Sequence, residues 1–249
     1  MYFERFQKES AVVAGFVIPQ SIGIWDFLLA EQQREQITGA LLEIGVYCGK
    51  SAIMLAMQAR PEEELILVDW SDFVDHAAVV VHKFKNENVR ILKEDSSSNA
   101  CWALTRDHQR AFRWIHIDGD HKAKTVENDL RLASQLLAEN GILCVDDYFN
   151  PRYPQLTFVV NEFLLTESSK FKMFLCGFNK AYITHAGHHR ELLRSVHANL
   201  GHGLAARGVS NFTIYKTDFP GSCNSFGIDL RWQKYVYHGL DEDPSRIIY

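Results

Sequence analysis

Cysteine is scarce and scattered in this chain of 249 residues. Cys48, Cys101, Cys144, Cys176 and Cys223 form no C-x-x-C pair, which excludes a disulfide-framed mini-protein and any common zinc-ligand spacing. They read as free thiols of a reducing compartment. Long apolar runs are missing as well. The longest, Ala11 to Ile18, falls far short of the roughly 20 residues that cross a bilayer. Glu4 and Glu9 precede it and no small-residue cleavage pattern follows, so it reads as a buried piece of a cytoplasmic protein. Basic charge is not in surplus: 26 Lys and Arg stand against 31 Asp and Glu, a net charge of −5. That balance argues against a nucleic-acid partner and leaves a homo-oligomer open. No repeat or low-complexity tract is present, and no Pro/Gly/Ser linker occurs before residue 200.

What is present is alternation. Short apolar runs at Ala40–Val46, Leu65–Trp70, Val89–Lys93, Arg113–Asp118 and Ile142–Asp146 read as strands covered on both faces, because none alternates cleanly. Between them lie helical stripes. Ile22, Trp25, Leu28 and Leu29 mark a helix over Ile22–Gln36. Phe73, Ala77, Val80, Val81 and Phe84 share one face, as do Val126, Leu130, Ala133 and Leu137, with Asn140-Gly141 as the expected helix stop. Strands alternating with helices predict an α/β fold with a doubly wound, mostly parallel sheet. Beyond it the sequence suggests a helix at Gln155–Leu165, apolar runs at Phe171–Cys176 and Ala181–Thr184, and a helix near Glu191–Leu200. A Gly-rich stretch from Gly201 to Gly208, one strand at Asn211–Lys216 and a polar tail follow. Residues 1–37 are expected to be a helical segment packed on the fold and 38–185 its core. Residues 186–249 are expected to be a C-terminal appendage of the same domain.

Ligands of such sheets bind beyond the C-terminal strand ends. The first strand runs into Glu43-Ile44-Gly45-Val46-Tyr47-Cys48-Gly49-Lys50-Ser51, where glycines permit a tight turn and close approach of a ligand to the backbone. A dinucleotide fingerprint needs a middle glycine where Tyr47 stands, so a nucleotide-dependent oxidoreductase is the weaker reading. Asp69 ends the second strand, 20 residues past Gly49, and an acid there can accept both ribose hydroxyls; a helix cap ahead of Phe73 is the alternative. Glu94-Asp95-Ser96 follows the third strand, where short polar groups can read an adenine edge, and Ser96 to Ser98 would serve equally as helix caps. The fourth and fifth strands end in Asp118-Gly119-Asp120-His121 and Asp146-Asp147-Tyr148. If these strands are neighbours about 4.8 Å apart, Asp118 and Asp146 converge. Carboxylates gathered there without a Lys or Arg in the motifs repel one another unless protonated or bound to a cation. Oxygen ligands alone suit a hard ion, Mg²⁺, Ca²⁺ or Mn²⁺. His121 stands beside them, and an imidazole is a suitable base at neutral pH. His185, His188 and His189 lack an acidic partner in a metal spacing and read as surface or cap residues.

The stretch Leu42 to Ser51 resembles the cofactor loop of class I S-adenosylmethionine (SAM) dependent O-methyltransferases of the catechol and caffeoyl-CoA type. Ile117 to His121, followed by Asp146-Asp147-Tyr148 with 28 residues from Asp118 to Asp146, is more similar still to the macrocin and mycinamicin sugar O-methyltransferases. The resemblance spans residues 38–185. It implies a Rossmann-like, seven-stranded sheet whose last strand is antiparallel. It also implies SAM held by Glu43, Gly45, Tyr47, Gly49 and Ser51, with Asp69 on the ribose, Asp95 or Ser96 at the adenine, and Asp118 nearby. Asp118, Asp146 and Asp147 correspond to the family's Mg²⁺ ligands, His121 to its general base, and Asp120 to a second base candidate. The implied activity is methylation of a small hydroxylated molecule such as a natural-product sugar or another vicinal diol. A non-catalytic or a metal-independent SAM-binding member of the same fold is the alternative. The catechol type has Asn where Asp147 stands, several sugar enzymes carry an extra N-terminal domain, and residues 186–249 resemble nothing in the family.

Overall fold

The apolar runs form the middle of one sheet. The computed structural model describes residues 1–217, 224–230 and 246–247; Cys223 and most of the expected polar tail lie outside the described residues. Strands β1 (Ala40–Ile44), β2 (Leu65–Val68), β3 (Val89–Leu92), β4 (Phe112–Ile117) and β5 (Leu137–Val145) run parallel in the order β3-β2-β1-β4-β5. Every residue of β1, β2 and β4 is buried, as expected of strands covered on both faces. Helices α1 (Phe3–Ser10), α2 (Pro19–Arg34), α3 (Ala52–Gln58), α4 (Phe73–Val81), α5 (Asn99–Asp107), α6 (Ala123–Leu136) and α7 (Pro154–Thr166) supply the cover. A proline at the first position of α2 and of α7 fits the start of a helix, where its missing N–H is not needed. Side chains alternate across the sheet. Leu41 and Trp114 join the core under α1 to α4, while Leu42, Ile44, Ile115 and Ile117 join the one under α5 to α7.

The sheet has ten strands among the described residues, not seven. Strands β6 (Phe171–Gly177) and β7 (Lys180–His185) form a hairpin, and β7 pairs antiparallel with β5. Seven strands thus stand in the order β3-β2-β1-β4-β5-β7-β6. Beyond β6, β9 (Phe226–Leu230), β8 (Phe212–Lys216) and β10 (Arg246–Ile247) continue the sheet, because the edge of β6 offers unpaired backbone groups that Phe226–Ile228 can meet in parallel register. The segment past residue 186 therefore extends the sheet. It opens with α8 (Ala186–Ser195), a π-turn over Val196–Leu200 and α9 (Gly201–Ala205), so the Gly-rich stretch begins as helix. Gly203 explains this: a Cβ there would strike the Phe27 ring of α2.

Three further expectations are corrected. Asn140-Gly141 does not stop α6; the helix ends at Leu136 and β5 begins at Leu137, which pairs with Phe112. A Cβ on Gly141 would lie 2.7 Å from the Phe112 carbonyl oxygen, so the glycine admits the neighbouring strand. The run Ala11–Ile18 is not buried. Phe16 is fully exposed and Val12 is 91% exposed, because this linker between α1 and α2 crosses the mouth of a cleft, with Gly15 against Lys50 of the glycine loop. Finally, His185 and His189 are buried, with Nε2 of His185 donating to the Leu137 carbonyl and Nε2 of His189 to the carbonyls of Met173 and Asn224. No helix of the described residues is long and apolar enough to cross a membrane.

Two buried polar networks tie the layers together. Arg113, fully buried at the head of β4, donates from Nε and Nη2 to the Glu63 carboxylate at 2.8 and 2.7 Å. It also reaches Gln32 of α2 at 2.9 Å and the Gln58 carbonyl of α3 at 3.0 Å. Burial alone would raise the Glu63 carboxyl, but Arg113 and the backbone donors bring it below its ordinary range. On the same face Glu43 of β1 pairs in register with His116 of β4, Oε1 to Nδ1 at 2.8 Å, under the Trp25 ring 4.4 Å from the imidazole. Burial pushes Glu43 up to about 8 and His116 well below its ordinary value, so the pair is neutral at pH 7.

Replacing Arg113 with Ala strands Glu63 in the interior and is expected to cost about 3–5 kcal/mol in urea unfolding; a loss under about 1 kcal/mol would show the network to be incidental. For Glu43 the sign follows from its raised affinity for the proton. The folded chain keeps this proton from pH 4.5 up to about 8 while the unfolded chain releases it, so stability falls across that window and levels above it. Glu43→Gln, which can still donate to His116, should flatten the fall between pH 5 and 8 and keep the loss below pH 6.5 that neutral His116 imposes. A variant whose melting temperature tracks the original chain across pH 5 to 8 would contradict the assignment.

Candidate active site

The order of strands reverses between β1 and β4, and a crevice opens above their C-terminal ends. It is a cleft of about 1250 Å³, larger than the roughly 300–1,000 Å³ that a single small ligand fills, so it has room for two molecules side by side. Its floor is the turn after β1. Gly45 has φ +85° and lies so close to Asp118 that a Cβ would collide with the Asp118 carbonyl. Backbone bonds from Gly45 to Val68 at 2.8 Å and from Asp118 to Ile44 at 2.7 Å lock the turn between its two neighbours. Gly49, φ +83°, packs against Ala77 of α4 with space for no side chain. Tyr47, at the place of a dinucleotide motif's middle glycine, itself takes a positive φ of 48° and shows its ring to the cleft.

Gly45, Tyr47, Ser51, Asp69, Asp95, Ser96 and Asp118 all line this cleft. Glu43 and Gly49 do not. Alternation along β1 turns Glu43 to the opposite side of Ile44, onto His116, and Gly49 serves the packing of the turn. Neutral Glu43 therefore brings no negative charge to a cofactor. Asp69 holds the loop directly: its Oδ2 accepts from the Val46 and Tyr47 N–H groups at 2.9 and 2.8 Å, and its Oδ1 from Ser71. At the far end Asp95 accepts from Ser97, which lowers its carboxyl below the usual range. Ser98 caps α5 by accepting from the Cys101 N–H at 3.3 Å. Ser96 is buried beside Asp129 of α6, an acid that the sequence reading passed over. Its signal was an aspartate set in the apolar stripe between Val126 and Leu130. Burial raises the Asp129 carboxyl to about 6 against hydrogen bonds from Ser96 and Asn128.

The acidic end is held by the β5–β7 pairing. Val145 pairs with Ala181, so the next residues outward, Asp146 and Lys180, face each other and form an ion pair between Oδ2 and Nζ. Lys180 was missed because the apolar run was taken to start at Ala181; its signal was a lysine heading a strand whose side chains are otherwise buried. Asp146 Oδ1 accepts from the Asp147 N–H at 2.8 Å. Asp147, φ 57°, accepts at Oδ1 from Asn150 and Asn179 and at Oδ2 from His121 Nε2 at 2.6 Å. The His121 ring stacks on Tyr153 at 3.9 Å and 21°. Asp118 lies between the two groups, and burial and the charge of Asp146 push its carboxyl well up. Asp120 points outward to Lys122 at 2.9 Å and to Thr125, with its carboxyl held low by that lysine. It is thus a poorer base than His121.

These donors gather as His116, Asp118 and Asp146 on one side and Asp118, His121 and Asp147 on the other, each set within 4.8 Å. Each contains an imidazole, unlike the all-oxygen set expected for a hard ion. All four oxygens of Asp146 and Asp147 already accept from the chain's own donors. Arranged in this way, the three aspartates do not fit a divalent ion.

Residues 42–148 match a family of methyltransferase domains. No curated protein matches the chain. Among solved structures the chain is similar to CalS11, a TDP-rhamnose 3′-O-methyltransferase of calicheamicin biosynthesis, at 13% identity over 73% of this chain and 92% of that one, with a TM-score of 0.52. It is also similar to the Podospora anserina methyltransferase PaMTH1 bound to SAH, at 19% identity over 73% and 86% of the two chains, with a TM-score of 0.54. The Bacillus cereus O-methyltransferase in complex with SAH gives 16% identity, 73% and 87% coverage and a TM-score of 0.53. These likenesses establish a shared fold. The family match starts at Leu42, on the strand that feeds the glycine turn, and ends at Tyr148, just past the second acidic pair; over this span the chain is similar to methyltransferase domains.

Proposed function

We propose that the chain transfers the methyl group of SAM to a hydroxyl of a small molecule, with His121 as the base. The observation that carries this reading is the His121–Asp147 pair on the wall of the cleft, with His121 stacked on Tyr153. With Nε2–H donated to Asp147, Nδ1 keeps its lone pair for the acceptor proton, and the carboxylate favours the imidazolium that results. The turn Gly45–Ser51 and Asp69 would hold the cofactor, with Asp95, Ser96 and Asp129 around its adenine. Asp118 would lie between the cofactor and the acceptor, on the wall that both share. Tyr47, Trp70 and Phe73, each well exposed at the mouth, would shield the nucleoside from water. Holding sulfonium carbon and acceptor oxygen in line is the larger part of the task, since alignment removes the entropic cost of bringing them together.

A vicinal diol, as on a natural-product sugar, is the acceptor class that the resemblance favours, with a catechol less favoured because Asp147 stands where the catechol type has Asn. Mg²⁺ at Asp118, Asp146 and Asp147, the expectation carried by the motifs, is set aside here because the engaged carboxylates do not fit it, and no step is assigned to it.

Transfer of labelled methyl from SAM to a panel of sugar, catechol and other diol acceptors tests this. His121→Ala is expected to lower kcat by about 10²–10⁴ while SAM binding persists. An undiminished kcat in that variant, or transfer only to nitrogen or sulfur acceptors, would overturn the proposal.

A further inference from the structure

We propose that Lys180 supplies from within the chain the positive charge for which the acidic strand ends would otherwise need a divalent ion, so that methyl transfer here needs no metal. The inference rests on the methyl-transfer reading and sharpens its chemistry. Asp118, Asp146 and Asp147 meet at one end of the cleft, and such a cluster requires a counter-charge. Lys180 provides it at a place set by the backbone. The antiparallel ladder pairs Val145 with Ala181, which brings the adjoining Lys180 onto Asp146. The lysine side chain is only 5% exposed, and its Nζ lies 5.4 Å from the Trp25 ring, whose π-face adds to its hold on the cation. The Asp146 carboxylate, met directly by Nζ, holds the ammonium in place. It is a built component of the site, unlike a surface lysine that can swing away.

The consequence for a metal is direct. An ion bound to Asp118 and Asp146 would lie against the ammonium and be repelled by it, and it would have to displace Lys180 from Asp146. The remaining carboxylate, Asp147, spends its oxygens on His121, Asn150 and Asn179.

The chemistry then closes without an ion. The acceptor hydroxyl gives its proton to His121, and its oxygen attacks the methyl carbon of the sulfonium. The C–O bond forms as the C–S bond breaks, its electron pair staying on sulfur to leave a neutral thioether. Lys180, on the wall of the same cleft, stabilises the negative charge that builds on oxygen during this step.

Mn²⁺ titration followed by electron paramagnetic resonance, on the SAH-loaded protein, tests the assignment without needing the acceptor. The original chain is expected to leave the free Mn²⁺ signal intact. Lys180→Met, which keeps the length of the side chain and removes its charge, should take up one equivalent, at least about tenfold more tightly. Lys180→Arg, with the charge retained, should behave as the original chain. Uptake by the original chain, or no uptake by Lys180→Met, overturns the proposal. Should Lys180→Met fail to fold, Lys180→Gln replaces it, and the measurement on the original chain decides by itself whether the site takes a metal. Calorimetry of SAH on the same samples reads the methyltransferase assignment separately: Mn²⁺ uptake with normal SAH binding removes the role of Lys180 and leaves methyl transfer standing.

Discussion

The site depends on one close approach, that of Gly45 to the carbonyl of Asp118. Because β1 and β4 are parallel neighbours in the register Ile44 to Ile117, the turn leaving one strand lies directly on the end of the other. Any side chain at Gly45 would force them apart. The glycine turn and Asp118 are therefore one structural unit, and Asp69 locks it from the other side by accepting from the Val46 and Tyr47 N–H groups.

Charge is distributed around that unit according to depth. Behind the sheet, where water is excluded, Glu43 and His116 are kept neutral and share a hydrogen bond. Closer to the cleft, Asp146 is ion-paired with Lys180. At the cleft wall the His121–Asp147 pair is only partly buried, which suits a group that must take up a proton and pass it to solvent. The gradient from neutral pair to fixed ion pair to partly exposed pair follows from the cost of burying charge, and it places His121, the proposed base, at the outermost step.

Much of this was legible in the sequence. The buried parallel strands and their acidic ends stand out as apolar runs broken by glycine or aspartate, and Asp118, His121, Asp146 and Asp147 were found by those ends alone. Residues whose role comes from partners distant in sequence were not legible. Lys180 matters because β7 inserts beside β5, and Asp129 because α6 packs its face against Ser96; no local pattern states either fact. Asn140-Gly141 misled for a related reason: the local rule reads a helix stop, whereas the glycine serves the approach of Phe112 from another strand. Ala11–Ile18 looked like core because hydrophobicity does not distinguish a buried strand from an apolar strip at a cleft mouth. Of the strands beyond β6, β8 matches the run expected at Asn211–Lys216, whereas β9 escaped because Phe226, Ile228 and Leu230 follow period two for only five residues.

The central claim is that the glycine turn and Asp69 form a SAM site, and calorimetric titration of SAH tests it most directly. The account predicts saturable one-to-one binding, weakened by more than about tenfold in Asp69→Ala through loss of charged hydrogen bonds, and no heat with NADH. Absence of SAH binding, or binding of NADH in its place, would contradict it.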